Sequence, residues 1–367
     1  MTTLHIFNPE HDLALAFGGK YFTPPHAARE LRTNMGFLPA LWACDGDVVL
    51  VDDVDYAVKA VRRFADRCAD VLFLSLADLR QQPSFAEHTS MRVSPWGWDA
   101  ALRQQLLSAG IPVGLLPSEE RLLEIRRLSS REQSVALLAD MRQRIASPLL
   151  VGESCCCTDE DMLVRLMAAT GDCVLKSPWS SSGRGVRYVM ADEQQNASVR
   201  GWANRVLEQQ GMIVVEPFYR KVKDFAMEFE LNEDGRVAYL GLSLFHTQHA
   251  AYTGNLLATE KEKRKMLCEY VPDGLIDEVA SAVALWVERN VAGIYVGPFG
   301  VDMMIVGSDE GYRLHPCVEM NLRRTMGHVA LALSPGPMEP QKVMRIVHDV
   351  NYLLRIVPAA NNYVNVI

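Results

Sequence analysis

Over the first 120 residues, short apolar runs alternate with amphipathic stretches, and this alternation restricts the fold more than any other feature. TLHIF (3–7), VVLVD (48–52) and VLFLS (71–75) are each followed by polar residues, and GIPVGLLPS (110–118) is expected to hold a fourth strand. Between them, YAVKAVRRFADRC (56–68) and WDAALRQQLLSAG (98–110) carry helical periodicity. Strands that alternate with helices in this way pack as βαβ units on a parallel sheet.

The texture then changes. PSEERLLEIRRLSSREQSVALLADMRQRI (117–145) is helical, with Ser118 and either Ser129 or Ser130 as natural N-caps. A small α+β unit follows: the helix DEDMLVRLMAAT (159–170), the strand CVLK, a polar loop, and the strand VRYVM. From 212 the pattern is strand-rich, and DFAMEFEL and RVAYLGLSLF read as a hairpin around Asn232–Gly235. GLIDEVASAVALWVERN (274–290) places Leu275, Val279, Ala282, Val283, Trp286 and Val287 on one helical stripe. Two further strands, GPFGVDMMIV and YRLHPCVEMNL, flank a turn at Gly307–Gly311, and the tail from Glu339 is expected to hold one more helix.

With 367 residues the chain has room for two or three domains. Its formal charge of −8 argues against a nucleic-acid backbone as main partner, since such binding draws on excess Lys and Arg. The eight cysteines show no C-x-x-C spacing, so reduced, buried or half-buried thiols are expected. The start MTTLHIFNPEHD has no signal-peptide pattern, and no uncharged apolar run reaches the about 20 residues that span a bilayer. A cytoplasmic location is the resulting expectation.

Two segments carry chemistry. In VLKSPWSSSGRGVRYV (174–189), a strand ends in Lys176 and opens into serines and glycines before a second strand. The lysine precedes the glycines, so this is not a Walker A loop, and no third glycine completes a dinucleotide fingerprint. Free backbone N–H groups, three hydroxyls and Arg184 nevertheless suit polyphosphate oxygens; a mobile hairpin loop is the plainer alternative. In the second segment Asp302 lies on one strand, and Glu319 and Asn321 lie two apart on the next, so they share a face. If those strands pair around Gly307–Gly311, two carboxylates and an amide oxygen converge, a hard-oxygen set suited to Mg²⁺.

The ordered set VLK, SSSGRG, VVEPFYRKVKDFAMEF, GVDMM and VEMNLR resembles the ATP-grasp superfamily of carboxylate–amine ligases, whose members include D-alanine–D-alanine ligase, biotin carboxylase and carbamoyl-phosphate synthase. The resemblance covers roughly residues 117–335. It implies an α/β and α+β chain with a Rossmann-like pre-ATP-grasp domain (1–120), a small lobe with the phosphate-covering loop (121–211), and a large lobe with the metal site and C-terminal helix (212–367). It also implies ATP and one or two Mg²⁺ ions, with Mn²⁺ able to substitute.

Carried over by position, Lys176 matches the lysine on the α- and β-phosphates, and Ser181, Ser182, Gly183, Arg184 and Gly185 match the covering loop. Glu216, Phe218 and Tyr219 match the adenine hinge, and Asp302, Glu319 and Asn321 the metal ligands. Arg323 matches an arginine that stabilises the transferring phosphoryl group, so Lys176, Arg184 and Arg323 are the expected catalytic charges. Two positions depart from the pattern. Arg131 stands where a second nucleotide lysine is usual, and Asp224 where a glutamate near the ribose is usual.

Acceptor contacts are sought in Asn8, Glu10 and His11 after the first strand, in Tyr252 and Asn255 of a polar segment, and in Arg324 and His328. For each, a capping or solvated role is the alternative. The implied reaction activates a carboxylate as an acylphosphate for attack by an amine. A small-molecule kinase and a silent nucleotide-binding module are the alternatives, and a nicotinamide dehydrogenase is disfavoured because no G-x-G-x-x-G follows the first strand. Small-molecule carboxylate and amine partners are expected, with no nucleic acid or membrane; a homo-oligomer is compatible with this reading.

Overall fold

The computed structural model describes residues 1–81, 91–180, 185–248 and 251–359. Two compact units emerge. Among the described residues, the first comprises Met1–Arg127, Gly254–Thr259 and 323–359; the second comprises Leu128–Thr253 and Glu260–Leu322. The expected large lobe of 212–367 therefore ends at Leu322, because the residues after it pack with the first unit. Strands are numbered in chain order.

In the first unit β1 (Thr3–Ile6), β2 (Val48–Leu50), β3 (Leu72–Leu74) and β4 (Arg92–Pro95) form a parallel sheet in the order β3-β2-β1-β4. Its strands are apolar on both faces because both are covered. Leu4, Ile6, Val48 and Leu50 join one core with Leu102 and Leu106 of the helix Ala100–Ser108. Val49, Val51 and Phe73 join the other with Met35, Phe37 and Trp96. The Asp99 carboxylate caps that helix, accepting from Leu102 N at 2.8 Å.

Two expectations fail here. Residues 110–118 make a single 3-10 turn, Val113–Leu115, and not a strand. Pro112 and Pro117 cannot donate to a ladder, and Gly110 sits at φ +92°. The fourth strand is β4, in a stretch with no apolar run to signal it. The tail, expected as a helix, forms the antiparallel hairpin β14 (Lys342–His348) and β15 (Tyr352–Pro358). Its β14 strand also pairs with Asn255–Leu257 of β11 (Ala251–Leu257), placing strand where a polar connection was expected.

The second unit holds two antiparallel sheets. In the smaller, β5 (Cys155–Cys157), β6 (Cys173–Lys176), β7 (Val186–Val189) and β8 (Ile213–Pro217) run in the order β5-β8-β6-β7. Leu163 and Met167 of the helix Glu160–Thr170, with Val199 and Ala203 of Ala197–Gln210, pack on Leu175, Ile213 and Val215. The larger places β9 (Lys221–Leu231), β10 (Val237–Gln248), β12 (Gly297–Ser308) and β13 (Gly311–Asn321) in the order β13-β12-β9-β10. The β9–β10 hairpin turns at Asn232–Gly235 as the sequence suggests, with Gly235 N donating to Asn232 O.

Alternation divides the larger sheet. Phe225, Met227 and Phe229 on β9 stand beside Met303, Val301 and Phe299 on β12, all buried. Asp224, Ala226 and Glu228 share the opposite face with Met304, Asp302 and Gly300. The helix Asp273–Asn290 buries its expected stripe, Leu275 through Val287, while packing on β9 and β10.

All eight cysteines are free thiols, and Cys44, Cys155 and Cys268 are exposed, which the expectation of buried thiols missed. No described helix is long and apolar enough to cross a membrane.

The Phe229 and Phe299 rings stack at 5.0 Å, and both residues are fully buried. Phe299→Ala should destabilise the second unit by about 3–5 kcal/mol. Denaturant unfolding followed by tryptophan fluorescence would show this as a lowered midpoint for the transition that reports Trp286.

Candidate functional site

The β12–β13 pairing sets the centre of the site. Asp302 lies directly opposite Glu319, and Gly300 opposite Asn321, so the three polar side chains share one sheet face. Asn321 Nδ2 donates to Asp302 Oδ2 at 3.3 Å. The sequence pattern anticipated this convergence. Among the described residues no group of three His, Cys, Asp or Glu side chains could hold a metal ion. A divalent ion at Asp302, Glu319 and Asn321 would thus complete its shell with ligand oxygens and water, which suits Mg²⁺.

Two basic side chains lie near this strand pair, each with its own carboxylate. Lys176, at the end of β6, is 6% exposed and pairs with Glu216 Oε2 on neighbouring β8 at 2.6 Å. Glu216 Oε1 accepts from Ser154 Oγ at 3.1 Å, and Lys176 Nζ also reaches Val318 O at 3.3 Å. Arg131 opens the helix Arg131–Ile145 behind its Ser130 cap. A cation at a helix N-terminus faces the positive end of the dipole, so it needs a carboxylate close by. Glu319 supplies one, with Oε1 at 2.9 Å from Arg131 Nη2.

Between β6 and β7 the chain makes a tight stem. Ser177 N donates to Gly185 O at 2.8 Å, and a Cβ at Gly185 would fall 2.1 Å from Ser177 Oγ. Only glycine fits there. Ser181, Ser182, Gly183 and Arg184 lie outside the described residues.

Beyond β8, Tyr219 Oη accepts from Glu153 N at 3.0 Å, while Phe218 N donates to Asp172 O at 2.9 Å. Phe218 N thus already has a backbone acceptor. Asp224 is held by Lys221 and Thr247, whose hydroxyl donates to Asp224 Oδ2 at 2.6 Å.

Sequence reasoning missed His315. It pairs with Met304 across β12–β13, and its fully buried ring packs edge-on to Tyr219 at 5.4 Å. Neither ring nitrogen has a hydrogen-bond partner, and a Cβ on Gly152 (φ +130°) would come within 2.8 Å of Nε2. Its place four residues before Glu319 on a strand was a parity signal, but only the close approach of the 152 segment shows that it is buried.

In the first unit the sheet order makes β1/β4 a switch point, where ligands of open α/β sheets bind. Asn8, just past β1, donates to Gly97 O at 2.9 Å just past β4. His11 Nδ1 lies 3.1 Å from Asp99 Oδ2. Glu10 pairs with Arg32 at 2.7 Å through Oε1, and its buried Oε2 has no hydrogen-bond partner. Arg324 donates its N–H to Trp96 O and lays its guanidinium over Trp42 at 4.4 Å. Arg323 makes a two-bond contact with Asp12, both at 2.8 Å. His328 Nδ1 accepts from Thr325 N, closing a capping box, and Asn255 is buried on β11. Tyr252, by contrast, belongs to the second unit.

Burial, reinforced by the charges of Lys176 and Arg142, pushes the His315 ring down to about 3. The folded protein therefore keeps it neutral while the unfolded chain takes up a proton below about 6.5. Stability from this group is complete above that pH and falls as pH drops toward 3. Between pH 7 and pH 5 the loss should be about 2 kcal/mol. His315→Phe should flatten the pH dependence of the guanidinium unfolding midpoint by that amount, and an unchanged slope would refute the neutral histidine.

No protein-family model matches the chain, and no curated protein matches it. Solved structures do. N5-carboxyaminoimidazole synthetase from Staphylococcus aureus, complexed with ADP, is 13% identical with a TM-score of 0.50, covering 94% of this chain and 82% of that one. The biotin carboxylase domain of 2-oxoglutarate carboxylase from Hydrogenobacter thermophilus, in complex with MgADP, ADP and bicarbonate, is 13% identical with a TM-score of 0.52, covering 94% and 74%. A biotin carboxylase–β-γ-ATP complex from Campylobacter jejuni is 14% identical with a TM-score of 0.51, covering 94% and 75%. Identity this low speaks to architecture alone. The chain has the ATP-grasp fold.

Proposed function

We propose that this protein is an ATP-dependent ligase that activates a carboxylate as an acylphosphate for attack by an amine or similar nucleophile. One observation carries the reading. Within the second unit, the buried Arg131 stands against Glu319 on the acid face, the buried Lys176 pairs with Glu216 and reaches the β13 backbone at Val318, and the buried Arg131 Nε has no hydrogen-bond partner. An unsatisfied guanidinium N–H in a closed site suits an anionic oxygen from a ligand. The ADP and β-γ-ATP complexes of the similar structures support a nucleotide as that ligand.

In this reading Lys176 and Arg131 bind polyphosphate oxygens and offset their charge, and Arg184 adds to them from the covering loop. Tyr219 and Phe218 border the base, and Asp224 faces the ribose. Asp302, Glu319 and the Asn321 amide oxygen would hold Mg²⁺, as the MgADP complex of the similar carboxylase domain supports. The metal would supply Lewis-acid neutralisation of the transferring phosphoryl oxygens. Positioning and charge, not covalent chemistry, are the protein's share of such a reaction. Arg323 is held by Asp12 through both oxygens, so its guanidinium is oriented before any substrate arrives. We place the acceptor at the β1/β4 crevice of the first unit, with Asn8, Glu10, His11, Arg324 and His328 as its proposed contacts and small molecules as partners.

The deciding experiment measures ADP and phosphate release from ATP and Mg²⁺ against pools of amino acids, dipeptides and other small carboxylates, with mass spectrometry of products. A product equal in mass to acid plus amine less water establishes the ligase; a stable phosphorylated acid would replace it with a kinase. Glu319→Gln should lower Mg²⁺-dependent turnover at least about 100-fold with an unchanged circular dichroism spectrum. Turnover at the parent rate in that variant would remove Glu319 from the metal site. Lys176→Ala alone would strand the buried Glu216 charge, a loss of about 3–5 kcal/mol. Lys176→Met combined with Glu216→Gln is therefore the cleaner variant, and its ATP affinity by calorimetry should fall at least about tenfold.

A further inference from the structure

Arg131 divides its guanidinium between two groups. Nη1 donates to Ser177 O at 2.5 Å and to Ser180 Oγ at 2.9 Å, at the entrance to the covering loop. Nη2 meets both oxygens of Glu319, at 2.9 and 3.0 Å. The Nε–H, on the same edge of the fork as Nη2, is buried and has no hydrogen-bond partner. Glu319 therefore occupies one half of a two-donor edge, and the carboxylate is already neutralised by a cation 2.9 Å away. A divalent ion reaching for Glu319 meets that positive charge in a partly desolvated site, with the Glu319 side chain 29% exposed.

We propose that Arg131 keeps Glu319 closed to metal until a polyphosphate takes over the Nε–Nη2 edge, so that divalent metal enters with the nucleotide and not before it. The inference rests on the Mg-ATP reading above. A phosphate presents two oxygens with the spacing that the guanidinium edge accepts, and it satisfies the Nε–H that Glu319 leaves unserved. Nη1 keeps its bonds to Ser177 and Ser180 throughout, so the side chain exchanges partners without leaving the loop stem. The same exchange couples phosphate arrival to the metal carboxylate. A lysine, with one nitrogen, could not hold the loop stem and Glu319 from separate arms while exposing a further donor.

Mn²⁺ is the probe, with free ion counted by electron paramagnetic resonance. The nucleotide-free parent should bind Mn²⁺ weakly, and a non-hydrolysable ATP analogue should tighten it at least about tenfold. Arg131→Gln should bind Mn²⁺ without nucleotide at least about tenfold more tightly than the parent, and Arg131→Lys should also gain affinity. Adding Glu319→Gln to either variant should abolish the gain. Misfolding cannot produce such a gain, so the two variants report the contact and not general stability. Equal or weaker nucleotide-free Mn²⁺ binding in both variants would overturn the proposal, while analogue binding by the parent would leave the ligase reading intact. Failure of the parent to bind the analogue with or without metal would overturn both.

Discussion

The antiparallel register of β12 and β13 is the constraint on which the rest of the second unit turns. It sets Asp302 opposite Glu319 and brings Asn321 beside them, collecting acid on one sheet face. Carboxylates that are partly removed from water need cations or hydrogen-bond donors close by. Arg131 from a helix N-terminus answers Glu319, and Lys176 reaches the backbone of the same strand at Val318. The smaller sheet and the helix that begins at Arg131 are thus tied to β13 by hydrogen bonding and charge.

That arrangement explains why the site is built from pairs. Lys176 holds Glu216, Arg131 holds Glu319, and Lys221 with Thr247 holds Asp224. Among the described residues, Lys176 and Arg131 each already have a carboxylate, so in the proposed reading ligand binding at this face is an exchange of partners rather than the filling of an empty charge. Exchange keeps buried charges compensated in both states, which a bare cationic pocket would not. The unpartnered Arg131 Nε and the two orphaned nitrogens of His315 are the places where compensation is incomplete. They are also the places where the site differs most from an ordinary hydrogen-bonded interior.

The first unit follows different physics. Its parallel sheet is covered on both faces, and its polar groups gather past the ends of β1 and β4, where chain direction opens a crevice. Asp99 serves there both as a helix cap and as the partner of Asn8 and His11. Arg32 ties Glu10 to the helix His26–Met35, so the polar loop after β1 is fixed by a neighbour far along the chain.

Much of this was legible in the residues. Period-two and period-3.6 patterns fixed the β1–β3 alternation, the long helix stripe of Leu275–Val287 and the β12–β13 hairpin, because each is a local property of side-chain spacing. Turn chemistry at Asn232–Gly235 was equally local. The triple of Asp302, Glu319 and Asn321 could be read because parity on two paired strands is enough to place it. Tertiary structure decided the remainder. Strand β4 pairs with β1, and β14 with β11, neighbours distant in sequence, so short or mixed segments gave no period to read. Burial of His315, the pairing of Lys176 with Glu216, and the return of the chain after Leu322 to the first unit are all set by long-range contact. Sequence by itself singled out the charged residues proposed for the site; only the folded chain determined which carboxylate each cation holds, because that depends on distances between segments up to 188 residues apart.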